Sequence, residues 1–177
     1  MNADNEDKQR YTGLVLLSGI DAPGIASALF STLEPFSITI VDVEQLVIRS
    51  RLILTVLIDL DPAHAQAIDD DLNQLAAKLD VDIAMSYGTH SVESIQEKSG
   101  NIMITVSAEK LSPGVIADLA KCVFESAGNI ERIQRLSSEP RTVLQFQISG
   151  NTKIELEQDL KACSDKFGVD INFLEKN

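Results

Sequence analysis

Apolar residues recur along the chain with two periods that alternate in a fixed order. The run 14–17 lies in a stretch with strand character and predicts a first strand over 12–18. Ile25, Leu29 and Leu33 then fall on one helical face, with Ala26 and Phe30 beside them, and Pro35 closes a helix of about 24–34. Positions 38, 40, 41, 43, 46, 47 and 48 are apolar, and the break in their alternation predicts a β-rich stretch carrying a bulge. Arg49-Ser50-Arg51 turns the chain into a strand over 52–60, so the pair reads as a hairpin. Ala65, Ile68, Leu72, Leu75 and Leu79 step by three or four residues and predict a second amphipathic helix over about 62–79. A fourth strand follows over 80–87. The order β-α-β-β-α-β is the split βαβ, or ferredoxin-like, unit.

The pattern then starts again. Residues 88–99 are polar apart from Val92 and Ile95 and read as a linker. A strand over 101–107 leads into Ser112-Pro113-Gly114, which opens a helix bearing Ile116, Leu119, Ala120 and Val123. Strands over 129–136 and 142–149, a helix over 152–167 and a strand over 169–174 complete it. Pro23 and Pro113, like Gly24 and Gly114, differ by 90 in number, and the same offset pairs Leu29 with Leu119, Ile40 with Ile130 and Arg51 with Arg141. After the hairpin the offset is 88, which aligns Leu72 with Leu160 and Val81-Asp82-Ile83 with Val169-Asp170-Ile171. One two-residue deletion accounts for the change, so the whole unit is duplicated. The expected architecture is α+β: two ferredoxin-like units in tandem, each an antiparallel sheet with its helices on one face. A disordered lead-in (1–11) precedes units over 12–87 and 100–177, joined by the linker 88–99.

The differences between the copies point to chemistry. Asp21-Ala22-Pro23-Gly24 lies between a strand and a helix. The unpaired N–H groups of that helix start favour an anion, while Asp21 offers a carboxylate one short loop away. Together they complement a zwitterion such as a free α-amino acid. The second copy has Leu111 where the first has Asp21, and Asn129 where the first has Thr39. Each copy thus holds half of a set of acidic loop and amide. The expectation is one competent site, joining the loop of copy one to the strand start of copy two from the same or a partner chain. The third strands differ as well. Val143, Gln145 and Gln147 make one face of the second copy's strand polar, whereas Ile53, Thr55 and Leu57 leave the first copy's strand apolar on both faces. Ile53, Thr55 and Leu57 are therefore expected to form an interface, with a homodimer as the assembly.

Composition narrows the classes. A formal net charge of −12 and the absence of Trp argue against nucleic acid and against an anionic membrane surface. Cys122 and Cys163 occupy apolar helical positions and read as buried free thiols, not a disulfide framework. The polar, acidic start of the chain has no signal-peptide core, and no run reaches membrane-spanning length, so a cytoplasmic protein is expected. His64 and His90 have no metal or triad spacing and read as solvated.

The loop 19–24, the Ile-Ala-Ser-Ala-Leu-Phe segment after it, and above all Val-Glu-Gln-Leu-Val-Ile-Arg-Ser-Arg-Leu at 43–52 resemble the N-terminal regulatory region of bacterial phosphoserine phosphatases, a tandem of ACT domains. The resemblance covers about 12–174 and is stronger in the first copy. It implies a small amino acid, serine or a relative, as ligand, held against the β1–α1 loop. Carried over by position, it points to Asp21 and Gly24 in one copy and to Gly114 and Asn129 in the other. No cofactor or metal is implied for this chain. The hydrolase motif of that family, Asp-x-Asp-x-Thr/Val after a strand, finds only Asp80-Val81-Asp82-Ile83-Ala84, which precedes its strand and ends in Ala84. The chain therefore reads as a regulatory module of serine biosynthesis without its catalytic domain, with a phosphatase domain or protein as a further partner. The alternative is a stand-alone double-ACT regulator acting through a protein partner, like the glycine cleavage system repressor. An enzyme with an unrecognised site is a third class, since the fold alone does not decide.

Overall fold

A computed structural model of the chain describes residues 11–88, 102–150 and 153–174, with side chains of the last segment from Leu156 onward. Residues 1–10 of the expected lead-in (1–11), nearly all of the linker with 100–101, and residues 151–152 and 175–177 lie outside the described residues, while Tyr11 already begins the first strand. The chain divides into two compact units, Met1–Gln96 and Glu97–Asn177.

Unit 1 runs β1 (Tyr11–Ile20), α1 (Ile25–Leu33), β2 (Ile38–Ile48), β3 (Arg51–Leu60), α2 (Ala65–Leu79) and β4 (Asp82–Gly88), with a 3-10 turn at Pro62–His64. Its sheet has the order β2-β3-β1-β4, and every neighbouring pair is antiparallel. Unit 2 repeats this with β5 (Ile102–Ala108), α3 (Pro113–Glu125), β6 (Asn129–Ser137), β7 (Thr142–Ser149), α4 (Lys153–Phe167) and β8 (Asp170–Leu174), in the order β6-β7-β5-β8. Both are ferredoxin-like units of two interlocked split βαβ motifs.

Strand parity decides what is buried. Val15 and Leu17 of β1 and Leu54, Val56 and Ile58 of β3 share one face with the helical stripe Leu29, Leu33, Ile68 and Leu72, and all are essentially inaccessible. Each such side chain contributes about 1.5–3 kcal/mol relative to exposure. Unit 2 has an equivalent core in which Phe146, Ile104, Leu119, Leu156 and Leu160 are fully enclosed. The helix ends repeat too: α2 stops at Asp80 and α4 at Gly168, both left-handed and 88 apart. The irregularity expected in 38–48 is a register shift between Ile40 and Asp42 of β2, and β6 carries one between Ile130 and Arg132, again 90 further on.

Candidate functional site

The loop after β1 is fixed by the main chain. Asp21 donates its N–H to the carbonyl of Ser50 at 2.9 Å. Ser50 belongs to the β2–β3 turn, where Arg49 and Ser50 both have positive φ, 47° and 66°. Two left-handed residues suit a two-residue hairpin whose twist must match its strands. The loop is thus pinned to the hairpin tip. Asp21, Ala22, Pro23 and Gly24 are all exposed. Gly24 caps α1 at φ 92°, with no side-chain cap on the helix and no acidic residue in its first turn. A Cβ there would meet nothing within 4 Å, so the glycine serves the backbone angle alone. The result is an exposed carboxylate beside helical N–H groups that no side chain caps.

Unit 2 is built differently at the same place. Ser112 is the N-cap, Pro113 and Gly114 are already helical, and α3 therefore begins earlier than α1 relative to the repeat. Leu111 packs against the unit 2 core, which explains why this position is apolar while Asp21 is exposed. Asn129 donates from its amide to Glu131 Oε1 at 2.7 Å, and Ser149 Oγ bonds the same oxygen.

Register separates residues that the sequence analysis grouped. Thr39 pairs with Asp59, and Thr12 with Asp59, in one row across the sheet; Ile20 pairs with Arg51 in a row eight residues further along β1. At about 3.3 Å per residue, Thr39 lies ~26 Å along the strands from the Asp21 loop of its own unit. Asn129 and Gly114 likewise lie toward opposite ends of the second sheet, since Asn129 pairs with Ser149 while Ala108, which leads to Gly114, pairs with Thr142. Within a unit, loop and strand start do not form one site.

The helix-free face of unit 1 brings its apolar residues together. Leu57 lies opposite Leu14, and Ile53 opposite Leu46. Thr55 sits between them, opposite Leu16, and donates to the Glu44 carbonyl at 3.3 Å. Leu14, Leu16 and Leu46 are 44%, 41% and 37% exposed, so this is open apolar surface. On the same face of unit 2, Gln134, Gln145, Thr105 and Asn172 form a polar row across all four strands.

Other candidates resolve as structure. Cys163 is buried and Cys122 half-buried. Burial, then neighbouring charges (chiefly Asp159 for Cys122), pushes the Cys122 thiol up, and burial does the same to Cys163, so neither is primed as a thiolate. His64, expected to be solvated, is half-buried against Phe36, and its Nδ1 is enclosed with no hydrogen-bond partner among the described residues. His64 ends the 3-10 turn before α2; His90 lies outside the described residues. Asp80 is the left-handed C-cap of α2. Among the described residues no His, Cys, Asp and Glu cluster could hold a metal ion, and no helix is long and apolar enough to cross a membrane.

Comparison with known proteins agrees with the fold. The ACT domain family profile matches residues 12–86. A phosphoserine phosphatase of Streptomyces coelicolor is 32% identical over 166 residues, which cover 90% of this chain and 39% of that protein. Phosphoserine phosphatase SerB2 of Mycobacterium tuberculosis is 28% identical over 169 residues, 88% of this chain and 41% of that protein. The chain thus spans about two-fifths of the length of these relatives. Among solved structures, a glycine cleavage system transcriptional repressor, so described provisionally, superposes with a TM-score of 0.74 at 13% identity, covering 94% of this chain and 99% of that one. A protein of unknown role from Galdieria sulphuraria gives 0.69 at 17% identity, covering 95% and 99%.

Proposed function

We propose that this chain, whose residues 12–86 match the ACT domain family, is an amino-acid-sensing regulatory module of the phosphoserine phosphatase type, which binds serine or a related small amino acid at the Asp21–Gly24 loop. The observation that carries the reading is the pairing of an exposed Asp21 carboxylate with an α1 N-terminus that no side chain caps. The ligand carboxylate sits on the N–H groups after Gly24, where the helix dipole favours it, and the ammonium faces Asp21. Unit 2 lacks the acid, because Leu111 is spent on its core, so the first unit dominates binding. The catalytic step of the relatives belongs to a separate domain or protein, and this chain passes ligand occupancy to it.

A second reading, a stand-alone double-ACT regulator acting through a protein partner, draws on the open apolar face around Ile53 and Leu57. Calorimetry with serine and glycine tests the first. A charge-assisted hydrogen bond is worth about 1.5–3 kcal/mol, so Asp21→Ala should weaken binding about ten- to a hundredfold, while Leu111→Ala, if it folds, should leave affinity nearly unchanged. Affinity that survives Asp21→Ala would sink the assignment.

A further inference from the structure

The groove between the two helices recurs in both units, and its lining follows the repeat. In unit 1 its walls include Ser31, Thr32, Asp71, Leu75 and Lys78. In unit 2 a cleft of about 250 Å³ has Lys121, Cys122, Asp159, Cys163 and Lys166 at the matching positions. Cys122 therefore stands where unit 1 has Thr32, and Cys163 where it has Leu75. A hydroxyl and a leucine in one copy are two thiols in the other, one from each helix of the same cleft.

The main chain bounds their separation. Cys122 Sγ donates to the carbonyl oxygen of Asp159 at 3.9 Å. Within α4 that carbonyl accepts the N–H of Cys163, four residues on, at about 2.9 Å. The Cys122 sulfur thus lies within about 7 Å of the Cys163 nitrogen. Disulfides join residues whose Cα atoms are about 4.4–6.8 Å apart, so the pair is within reach of a bridge after a side-chain rotation and a small helix shift. Cys163 is pushed up by burial and then by Cys122, the first of its charged neighbours, which places the two thiols side by side. The cleft also carries ions. Lys121 pairs with Glu125 at 3.6 Å and Lys166 with Asp118, which leaves Asp159, bonded by Ser126 Oγ at 3.1 Å, as the negative charge beside the thiols.

We propose that Cys122 and Cys163 form a modification site, at which a small uncharged or cationic disulfide oxidises the pair to a bridge that ties α3 to α4. Cys122, the more exposed, reacts first. It loses its proton to water, and its thiolate attacks one sulfur of the reagent, breaking the reagent's S–S bond and releasing a thiolate that takes up a proton. Cys163 loses its proton in turn and attacks the Cys122 sulfur of the mixed disulfide, which releases the second thiol. The protein gives up two electrons and two protons, and the reagent becomes two thiols. Burial and the charge of Asp159 keep Cys122 protonated at rest, so the exchange is slow and the resting state is the dithiol. None of this depends on the reading of the Asp21 loop, which lies in the other unit.

The test is to incubate the reduced full chain with cystamine at mildly alkaline pH and to digest it without reduction for mass spectrometry. The expected product is a single chain lighter by two hydrogens, with no free thiol, whose Cys122 and Cys163 peptides are joined. Its circular dichroism should match that of the reduced chain, and dithiothreitol should restore both thiols. Oxidised glutathione, an anion, should give the same bridge more slowly beside Asp159. Cys163→Ala should stop at a cystamine adduct on Cys122. Cys122→Ser should leave Cys163 unmodified, since that residue is buried. A folded wild-type chain that accumulates adducts on both cysteines, links chain to chain, or stays a dithiol until urea unfolds it would overturn the proposal.

Discussion

Gly19 and Gly24 sit five residues apart and are glycine for different reasons. At Gly24 there is room for a side chain, but φ is 92°, so alanine there carries a conformational cost of about 1 kcal/mol. At Gly19 the limit is Val81, whose branched Cβ cannot swing aside. Gly19→Ala should destabilise the chain by about 1–3 kcal/mol through overpacking. Val81→Ala in the same chain should recover much of that loss, a coupling that denaturant melts of the two single variants and the double would measure. Additive losses would show that the two residues do not share the seam. The Pro-Gly dipeptide marked the turn in the sequence, and Asp21 marked a possible ligand contact. Ser112-Pro113-Gly114 also marked the earlier start of α3, but the packing of Leu111 against the core is a tertiary contact that the turn residues do not encode. Arg141 was visible only as the repeat partner of Arg51. Its buried Nε and its contacts to Asp170 and Ser107 arise from side-chain packing that no periodicity encodes.

At the scale of elements, alternation together with continuous apolar runs placed the strands; β1 and β3 are apolar on both faces and were legible as runs bounded by turn residues. Even the β2 irregularity was legible, since 40 and 41 are both apolar and one of them must leave the register. What alternation cannot say is where along a strand a residue meets its neighbours. Register keeps Thr39 apart from Asp21: β1 and β2 run in the same direction, so the start of β2 lies far from the end of β1. The helix-free face of unit 1 carries the prediction at this scale. If Ile53, Leu57 and their neighbours Leu14 and Leu46 pack against a second chain, Ile53→Lys or Leu57→Lys should give monomers that retain their circular dichroism. Light scattering decides it: a variant of unchanged mass would count against this surface. Each position points away from the core, so the added lysine has a route to water in the monomer.

The whole molecule is a duplication whose copies have diverged at their surfaces more than in their cores. Both units bury the same kinds of residue at register-equivalent positions, Val15 and Leu17 of β1 answering to Ile104 and Val106 of β5, while their open faces differ, apolar in one and amide-rich in the other. Duplication was readable by subtraction of residue numbers, because core spacing must survive for either unit to fold. Under the proposed reading the identity of the amino acid is not legible in the sequence, because a loop of main-chain N–H groups and one carboxylate offers contacts only to the groups that all α-amino acids share. The bond from the Asp21 N–H to the Ser50 carbonyl carries one more consequence. Asp21 is an exposed loop residue, and its amide proton should trade with solvent deuterium within moments. Held instead by the hairpin tip, that proton can leave only when the tip and the loop part, so its exchange rate counts those openings. It should be protected where the amide of Ala22 is not, and it should slow further when an amino acid occupies the loop.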